Sequence, residues 1–261
     1  MNLRLKSGFL LLVLVLTFHP LRAQDASSSA AVDAKGPEAP AQAAPEEQKH
    51  SAAGLFLRNV WTDQKAIWTS PGRMNRRRFF TIALPLAAAT AGLIATDERA
   101  VDWLPNTPDQ IRWSGRASKI GAAYALGGLT GGMMIAGKIT HKPAAFRAGV
   151  NAAEALVNSV ITNYAIKGVT QRERPDQDNG EGGFWHGGMS FPSGHAMDTF
   201  AVATAVARSA KCPKWLAVTS YAVATIVSLS RWGAQKHFPS DILVGGVLGG
   251  LIGNYVATRP R

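Results

Sequence analysis

The sequence predicts an all-α fold, a helical bundle of about six long helices that is associated with a membrane. Apolar residues make up 46% of the 261 residues and charged residues only 17%. The long stretches between charges are rich in Ala and Gly and have the length of helices rather than strands. A chain of this length can bury one sizeable core, so we expect a single helical domain.

The first 23 residues predict a signal peptide or an N-terminal anchor. Arg4 and Lys6 precede an apolar run at 9–18, and Leu21-Arg22-Ala23 fits a cleavage site. The run is short for a helix that crosses a bilayer, which favours a cleaved signal over an uncleaved membrane anchor. Either interpretation places the protein in the cell envelope.

Residues 24–54 predict a disordered linker. They consist largely of Ala, Ser, Pro, Glu and Gln and offer too little apolar surface to offset the entropy of ordering. The helical domain is predicted at 55–261. It opens with an amphipathic segment that includes Leu55, Val60 and Trp68, which we expect to lie on the domain or on a membrane surface.

Apolar stretches of helix length then follow one another along the domain. Several approach the roughly 20 residues that a bilayer span requires. Their small residues suit either a membrane bundle or the buried helices of a soluble one. The stretches are Phe79–Thr96, Ile120–Ile139, Ala144–Ile166, Ala196–Ala210, Trp215–Leu229 and Ile242–Ala257.

The basic flank of the first stretch conflicts with a cleaved signal. Arg73, Arg76, Arg77 and Arg78 precede Phe79 and would stay in the cytoplasm by the positive-inside rule. A cleaved signal peptide would instead leave them outside. The sequence alone keeps both orientations of this flank open.

Charge and cysteine content exclude several classes of function. The chain carries 28 Lys and Arg against 17 Asp and Glu, a formal charge of +11. The basic residues are scattered among apolar stretches rather than arranged as a stripe with aromatics, so we expect no nucleic-acid partner. Cys212 is the single cysteine, and no Cys/His cluster has the spacing of a zinc site, so we predict no metal site.

The first polar island is Lys167 followed after six residues by Arg174-Pro175. A step of seven residues on a continuous helix is almost two turns, so both cations would lie on nearly the same side. Pro175 predicts the end of the element. Cations at a helix end also occur because they complement the helix dipole, so this pair alone identifies no site.

The second island is Pro192-Ser193-Gly194-His195, directly before an apolar stretch. Ser193 is a natural N-cap, and the free N–H groups of a helix start favour an anion such as phosphate. Gly194 leaves room for close approach of the anion. His195 would lie in the first turn, where it could exchange a proton with a bound group. An ordinary capped helix with an incidental histidine is the alternative.

The third island is Ser230-Arg231, then His237 and Asp241. His237 and Asp241 are four residues apart, a spacing that places two side chains on one face of a helix. A carboxylate on one ring nitrogen fixes the tautomer and leaves the other nitrogen free as nucleophile or base. Arg231 could hold phosphate oxygens in a bidentate fork.

Together the three islands resemble the signature of the type 2 phosphatidic acid phosphatase superfamily, which includes bacterial class A acid phosphatases and vanadium haloperoxidases. The resemblance implies a helical bundle, no cofactor and a two-step reaction through a phosphohistidine. It assigns catalysis to His237 as nucleophile, Asp241 as its orienting carboxylate and His195 as general acid and base. It assigns phosphate binding to Lys167, Arg174, Ser193, Gly194 and Arg231.

We therefore expect a metal-independent phosphatase that hydrolyses a phosphomonoester or diphosphate of a lipid at a membrane. A soluble periplasmic acid phosphatase of broad specificity is the alternative, and a vanadate-dependent haloperoxidase is a third candidate. In an integral bundle two crossings separate the second island from the third, so all three islands lie on one membrane face. We predict that the protein lies in the inner membrane or the periplasm, and that the active site faces the periplasm.

Overall fold

The computed structural model describes residues 51–177, 180–209 and 211–260. The predicted signal or anchor at 1–23 and nearly all of the predicted linker lie outside the described residues. The first helix begins at Ala52, where the Ser51 side chain accepts a hydrogen bond from the Gly54 backbone N–H at 3.1 Å. Regular structure therefore begins three residues before Leu55, the predicted start of the domain.

The described chain is a bundle of α-helices, as the sequence predicts. Six of its helices correspond to the six apolar stretches. The helices Asp97–Asp102 and Pro108–Ser118 were not predicted, because they are short and polar and carry no apolar stretch of helix length. The helices are α1 Ala52–Thr69, α2 Arg76–Ile94 with a π-helical turn at Phe79–Ala83, α3 Asp97–Asp102, α4 Pro108–Ser118, α5 Ala123–Ile139, α6 Pro143–Thr170, α7 Gly194–Ala207, α8 Lys214–Gly233 and α9 Pro239–Thr258.

Helices α7 and α9 form the centre of the bundle because glycines let their backbones approach. A Cβ added at Gly245, Gly249 or Gly253 would lie 2.0–2.5 Å from a carbonyl oxygen of the α7 segment. These glycines recur every fourth residue and so form a continuous groove along one face of α9. This packing holds the start of α7 beside the start of α9.

Helix α1 packs on α6 through a buried polar network. Gln64 Nε2 donates to Asn158 Oδ1 at 2.8 Å, and Asn158 Nδ2 donates to Asp63 Oδ2 at 2.9 Å. Arg259, just after α9, forms ion pairs with Asp63 and with Glu154, the latter at 2.7 Å. The predicted amphipathic segment thus lies on the domain and is held to it by polar contacts as well as by buried Val60 and Ile67.

Three described helical segments are long and apolar enough to cross a membrane: Arg76–Ile94, Pro108–Ile139 and Pro239–Thr258. The first two expose most of their residues, including Leu84, Leu129 and Ile135. Large apolar side chains exposed along a whole helix face suit contact with lipid rather than water. These apolar, exposed helices confirm the membrane-associated helical bundle that the sequence predicts.

Candidate active site

The three polar islands meet at one end of the bundle. Helix α6 ends at Thr170 and α8 ends at Gly233, while α7 begins at Gly194 and α9 begins at Pro239. A short turn joins α8 to α9, the Thr170 hydroxyl donates to the Phe191 carbonyl oxygen at 2.9 Å, and the Ser193 N–H donates to the Asp241 carbonyl oxygen at 3.0 Å, so these four helix ends lie together. The predicted residues converge there, since the charges of Lys167, Arg174 and Arg231 all act on His195.

His237 and Asp241 form a buried pair whose geometry differs from the prediction. Pro239 begins α9, so His237 lies in the preceding turn and only Asp241 is in the helix. The predicted shared helix face is therefore wrong. The two side chains still meet, with His237 Nδ1 3.5 Å from Asp241 Oδ2. This contact leaves Nε2 as the ring nitrogen available for chemistry.

The Asp241 carboxylate is held by several donors. Its Oδ2 accepts from the Phe238 backbone N–H at 2.9 Å and from Ser190 Oγ at 2.6 Å. Its Oδ1 accepts from Arg172 Nη1 at 2.7 Å. A buried carboxylate with this many donors stays ionised and fixed in place.

Arg172 belongs to a part of the site that sequence analysis missed. Its Nη2 donates to Asp97 Oδ2 at 2.9 Å, and its Nη1 also donates to Ser240 Oγ at 2.7 Å. Asp97 begins α3, and its carboxylate also accepts from the Ser240 hydroxyl. Arg172 is one of the six residues that the motif leaves unspecified between Lys167 and Arg174, and Asp97 lies in a segment without a motif. The two residues are 75 positions apart in the chain, so no local pattern predicts their contact.

The backbone between Lys167 and Arg174 differs from the continuous helix that the sequence predicts. Gln171 takes a left-handed conformation with φ of 45° and ends α6, so the two cations do not share one continuous helix as expected. Lys167 lies in the last turn and donates to the carbonyl oxygens of Met189 and Ser190. Arg174 lies in the loop that follows.

Arg231 lies in the last turn of α8, where its Nη1 donates to Ser118 Oγ at 3.1 Å. Within the described chain, the Nε atoms of Arg174 and Arg231 are buried and have no hydrogen-bond partner. Buried donors without a partner are costly in a folded protein. Two guanidinium groups with such donors in one cluster are therefore suited to bind an anion.

Ser193 occupies the N-cap position of α7, but its side chain makes no capping hydrogen bond. Its Oγ is buried and has no partner among the described residues, whereas its backbone N–H donates to the Asp241 carbonyl oxygen at 3.0 Å. The predicted capping role of the hydroxyl is thus wrong. The uncapped start of α7, with Gly194 and His195 in its first turn, keeps the features of an anion site.

Burial and neighbouring cations set the charge state of the histidines. Burial lowers the pKa of His237 to about 3, against the opposing effect of Asp241. Burial, together with Arg231, Lys167 and Arg174, lowers the pKa of His195 to about 4. Both imidazoles are therefore neutral near pH 7 without a bound anion, and a neutral imidazole is the form that can act as a nucleophile.

Among the described residues, no group of three or more His, Cys, Asp or Glu side chains is arranged to hold a metal ion. The polar centre of this end of the bundle is instead cationic, with Lys167, Arg174 and Arg231 around the two histidines. This arrangement attracts a compact anion with several oxygen atoms.

Residues 148–260 match the PAP2 superfamily. Over 66 residues the chain is 38% identical to a lipid A 1-phosphatase of Porphyromonas gingivalis, an alignment that covers 24% of this chain and 15% of that relative. Two crystal structures are similar in fold. A PAP2-type phosphatidylglycerolphosphate phosphatase of Bacillus subtilis gives a TM-score of 0.50 at 21% identity over 77% of this chain and 92% of its own, and Aquifex aeolicus LpxE gives 0.46 at 22% identity over 58% and 87%.

Proposed function

We propose that this chain, whose residues 148–260 match the PAP2 superfamily, is a membrane phosphatase that hydrolyses a phosphomonoester or diphosphate of a lipid without a metal ion. The observation that carries the proposal is one buried cluster. It places the pair His237 and Asp241 beside three cations and the uncapped start of α7. Phosphoryl transfer depends chiefly on such positioning and charge stabilisation.

In this proposal, Lys167, Arg174 and Arg231 bind the phosphoryl oxygens together with the Ser193 hydroxyl and the Gly194 backbone N–H. The unpartnered Nε atoms of both arginines and the unpartnered Ser193 Oγ support this assignment. Charge spreads over the equatorial oxygens in the transition state, so donors fixed in advance lower the barrier.

The reaction proceeds in two steps. His237 Nε2 attacks phosphorus with its lone pair while the bond from phosphorus to the leaving oxygen breaks, and His195 gives that oxygen a proton. Water then attacks the phosphohistidine, His195 takes a proton from the water, and the P–N bond breaks with its electron pair returning to Nε2. Asp241 stabilises the positive charge that His237 acquires during attack.

The first step requires a protonated His195, whereas its pKa is lowered to about 4 without a substrate. Two of the causes, after burial, are Arg231 and Lys167. A bound phosphate supplies negative charge that offsets these cations, so substrate binding favours uptake of the proton that catalysis uses.

A lipid substrate is favoured over a soluble ester by the surface of the bundle. Large apolar residues such as Leu84, Leu129 and Ile135 are exposed along helices long enough to cross a membrane. The names of the bacterial relatives, a lipid A 1-phosphatase and a phosphatidylglycerolphosphate phosphatase, point to the same substrate class.

The proposal is tested by release of inorganic phosphate from detergent-purified protein. A polyprenyl diphosphate, phosphatidic acid and a soluble aryl phosphate are compared side by side with excess EDTA. We expect turnover of a lipid substrate well above that of the aryl phosphate and undiminished by EDTA. Loss of activity in EDTA would contradict a metal-independent site, equal turnover of the aryl phosphate would favour the soluble acid phosphatase, and no release from any substrate would overturn the phosphatase function.

The active site faces the periplasm in this proposal, because the opposite end of the bundle carries more exposed basic residues than the active-site end, where Arg99, Arg112, Arg116 and Lys119 are exposed. The turn between α5 and α6 and the turn between α7 and α8 both lie at that end, as does the start of α2. Basic residues near membrane helices are retained in the cytoplasm. The exposed basic residues at this end are Arg73, Arg76, Arg77, Lys138, Lys142, Arg147, Arg208, Lys211 and Lys214.

Cys212, the single cysteine, provides a direct test of this orientation. It is partly exposed in the turn between α7 and α8, at the end opposite the active site. A membrane-impermeant maleimide should label Cys212 only after the cells are permeabilised. As the matched control, His186→Cys in a Cys212→Ser background should be labelled on intact cells, because His186 is 63% exposed beside the active site. The reverse pattern would place the site in the cytoplasm.

A further inference from the structure

We propose that Arg172 and Asp97 are positioning residues for catalysis, which act by fixing Asp241 against the nucleophile His237. This inference rests on the proposed phosphatase function. Asp97 lies outside the region 148–260 that matches the superfamily, so the segment before that region supplies part of the catalytic machinery.

Arg172 connects two buried carboxylates. Its side chain is 1% exposed, and those of Asp97 and Asp241 are 1% and 0% exposed. One guanidinium nitrogen lies 2.7 Å from Asp241 Oδ1 and the other lies 2.9 Å from Asp97 Oδ2. A planar guanidinium with fixed donors can hold two carboxylates at a set angle, which a flexible ammonium group cannot do.

The remaining contacts of Arg172 restrict its own position. Its Nε donates to the Gly182 carbonyl oxygen at 3.1 Å. Its guanidinium carbon lies 4.1 Å from the ring centre of Phe238 and 4.8 Å from that of Phe184. Phe238 is the residue between His237 and α9, so this stacking also supports the turn that carries the nucleophile.

Asp97 fixes the start of α9 in a second way. Its Oδ1 accepts from the Ser240 backbone N–H at 3.2 Å, and its Oδ2 accepts from the Ser240 hydroxyl. Ser240 directly precedes Asp241 in the first turn of α9. Asp97 therefore binds both the backbone beside Asp241 and the arginine that contacts the Asp241 carboxylate.

Neither residue carries out the chemistry in this arrangement. The cations that, with burial, lower the pKa of His195 are Arg231, Lys167 and Arg174. The guanidinium of Arg172 is already committed to Asp97, Ser240, Asp241 and the Gly182 carbonyl. Loss of Arg172 should therefore slow attack by His237 while leaving phosphate binding intact.

The test compares Arg172→Gln, Arg172→Lys and Asp97→Asn with the full-length wild type. We expect kcat to fall by about 100-fold for Arg172→Gln and by about tenfold for Asp97→Asn, the range typical of groups that orient a catalytic ligand. Arg172→Lys should recover part of the loss. KM and the inhibition constant for inorganic phosphate should stay within about twofold of wild type, a separation that general damage to the fold would not produce.

Glu98→Gln is the matched control, because Glu98 is the exposed acidic neighbour of Asp97 in the same turn. It should retain wild-type kcat. Asp97→Asn preserves the shape of the side chain and one of its two acceptor oxygens, so it keeps the inference testable if Arg172→Gln does not fold. Wild-type kcat in folded Asp97→Asn and Arg172→Lys would overturn the inference. So would an equal loss of kcat and of phosphate affinity in these variants. Neither result would affect the proposed function. Absence of phosphate release by the wild type would overturn the proposed function and the inference with it.

Discussion

Replacement of His237 by alanine should reduce kcat by roughly 10⁵-fold or more, because it removes the nitrogen that we propose attacks phosphorus. The phosphate-binding donors remain in the variant, so inorganic phosphate should still bind. His237 is buried in the turn before α9, with its Nδ1 3.5 Å from Asp241 Oδ2. The measurement is phosphate release from the preferred lipid under saturating conditions, with thermal unfolding in detergent as the check on folding.

His141→Asn is the matched control for this variant. His141 is exposed at the opposite end of the bundle and has a left-handed backbone that asparagine tolerates. It should keep full activity. A folded His237→Ala protein that retains more than about one per cent of wild-type kcat would rule out the phosphohistidine mechanism.

Replacement of Asp241 by asparagine should reduce kcat by roughly 10³- to 10⁴-fold, the range seen when the carboxylate behind a catalytic histidine is made neutral. The amide cannot stabilise the cation that His237 becomes in the proposed attack. It can also present an N–H group to Nδ1 and so move the ring proton to Nε2, the attacking atom. The variant should fold, because Arg172 keeps its ion pair with Asp97.

The control for this second variant is Asp198→Asn. Asp198 is also buried near the cations, but it accepts a hydrogen bond from Ser159 at 2.5 Å rather than contacting His237. We expect the kcat of Asp198→Asn to fall by less than about tenfold, because the substitution changes only the hydrogen bond with Ser159. Similar losses in both variants would mean that negative charge in this region matters in general, and that Asp241 has no specific role.

The sequence predicted the long helices well because their apolar content is unbroken over many residues. The missed boundaries have local causes. Helix α2 begins at Arg76, before the apolar stretch, because the side chain of the N-cap residue Asn75 accepts from the Arg78 backbone N–H at 2.9 Å. Helix α8 runs on through Arg231 to Gly233 because its end packs on α4, where a Cβ added at Gly233 would meet Ser114 Oγ at 2.6 Å.

The residues of the proposed active site could be predicted, whereas the local geometry that brings them together could not. Spacing suggested a common helix for Lys167 and Arg174 and another for His237 and Asp241. Gln171 and Pro239 interrupt those helices, and tertiary packing of α6, α7 and α9 aligns the side chains instead. Motif spacing therefore indicates which residues come together in the fold, but not which backbone conformation brings them together.

The contacts of Arg172 and Asp97 could not be predicted from the sequence for a different reason. A buried arginine between two carboxylates depends on residues far apart in the chain, and neither Arg172 nor Asp97 has a neighbour that signals burial. Asp97 follows an apolar stretch and is as easily explained as an acidic residue in the first turn of a short helix. Only the packing of α3 against the start of α9 gives it a role.

The most direct test is to trap the covalent intermediate. Purified protein is mixed with a lipid substrate labelled in its terminal phosphate, quenched in alkali within the first turnover, and digested for mass spectrometry. We predict an alkali-stable, acid-labile phosphate on His237 that is absent from His237→Ala. Phosphate on another residue, or turnover by wild-type protein without any label on His237 at the earliest times, would contradict the mechanism.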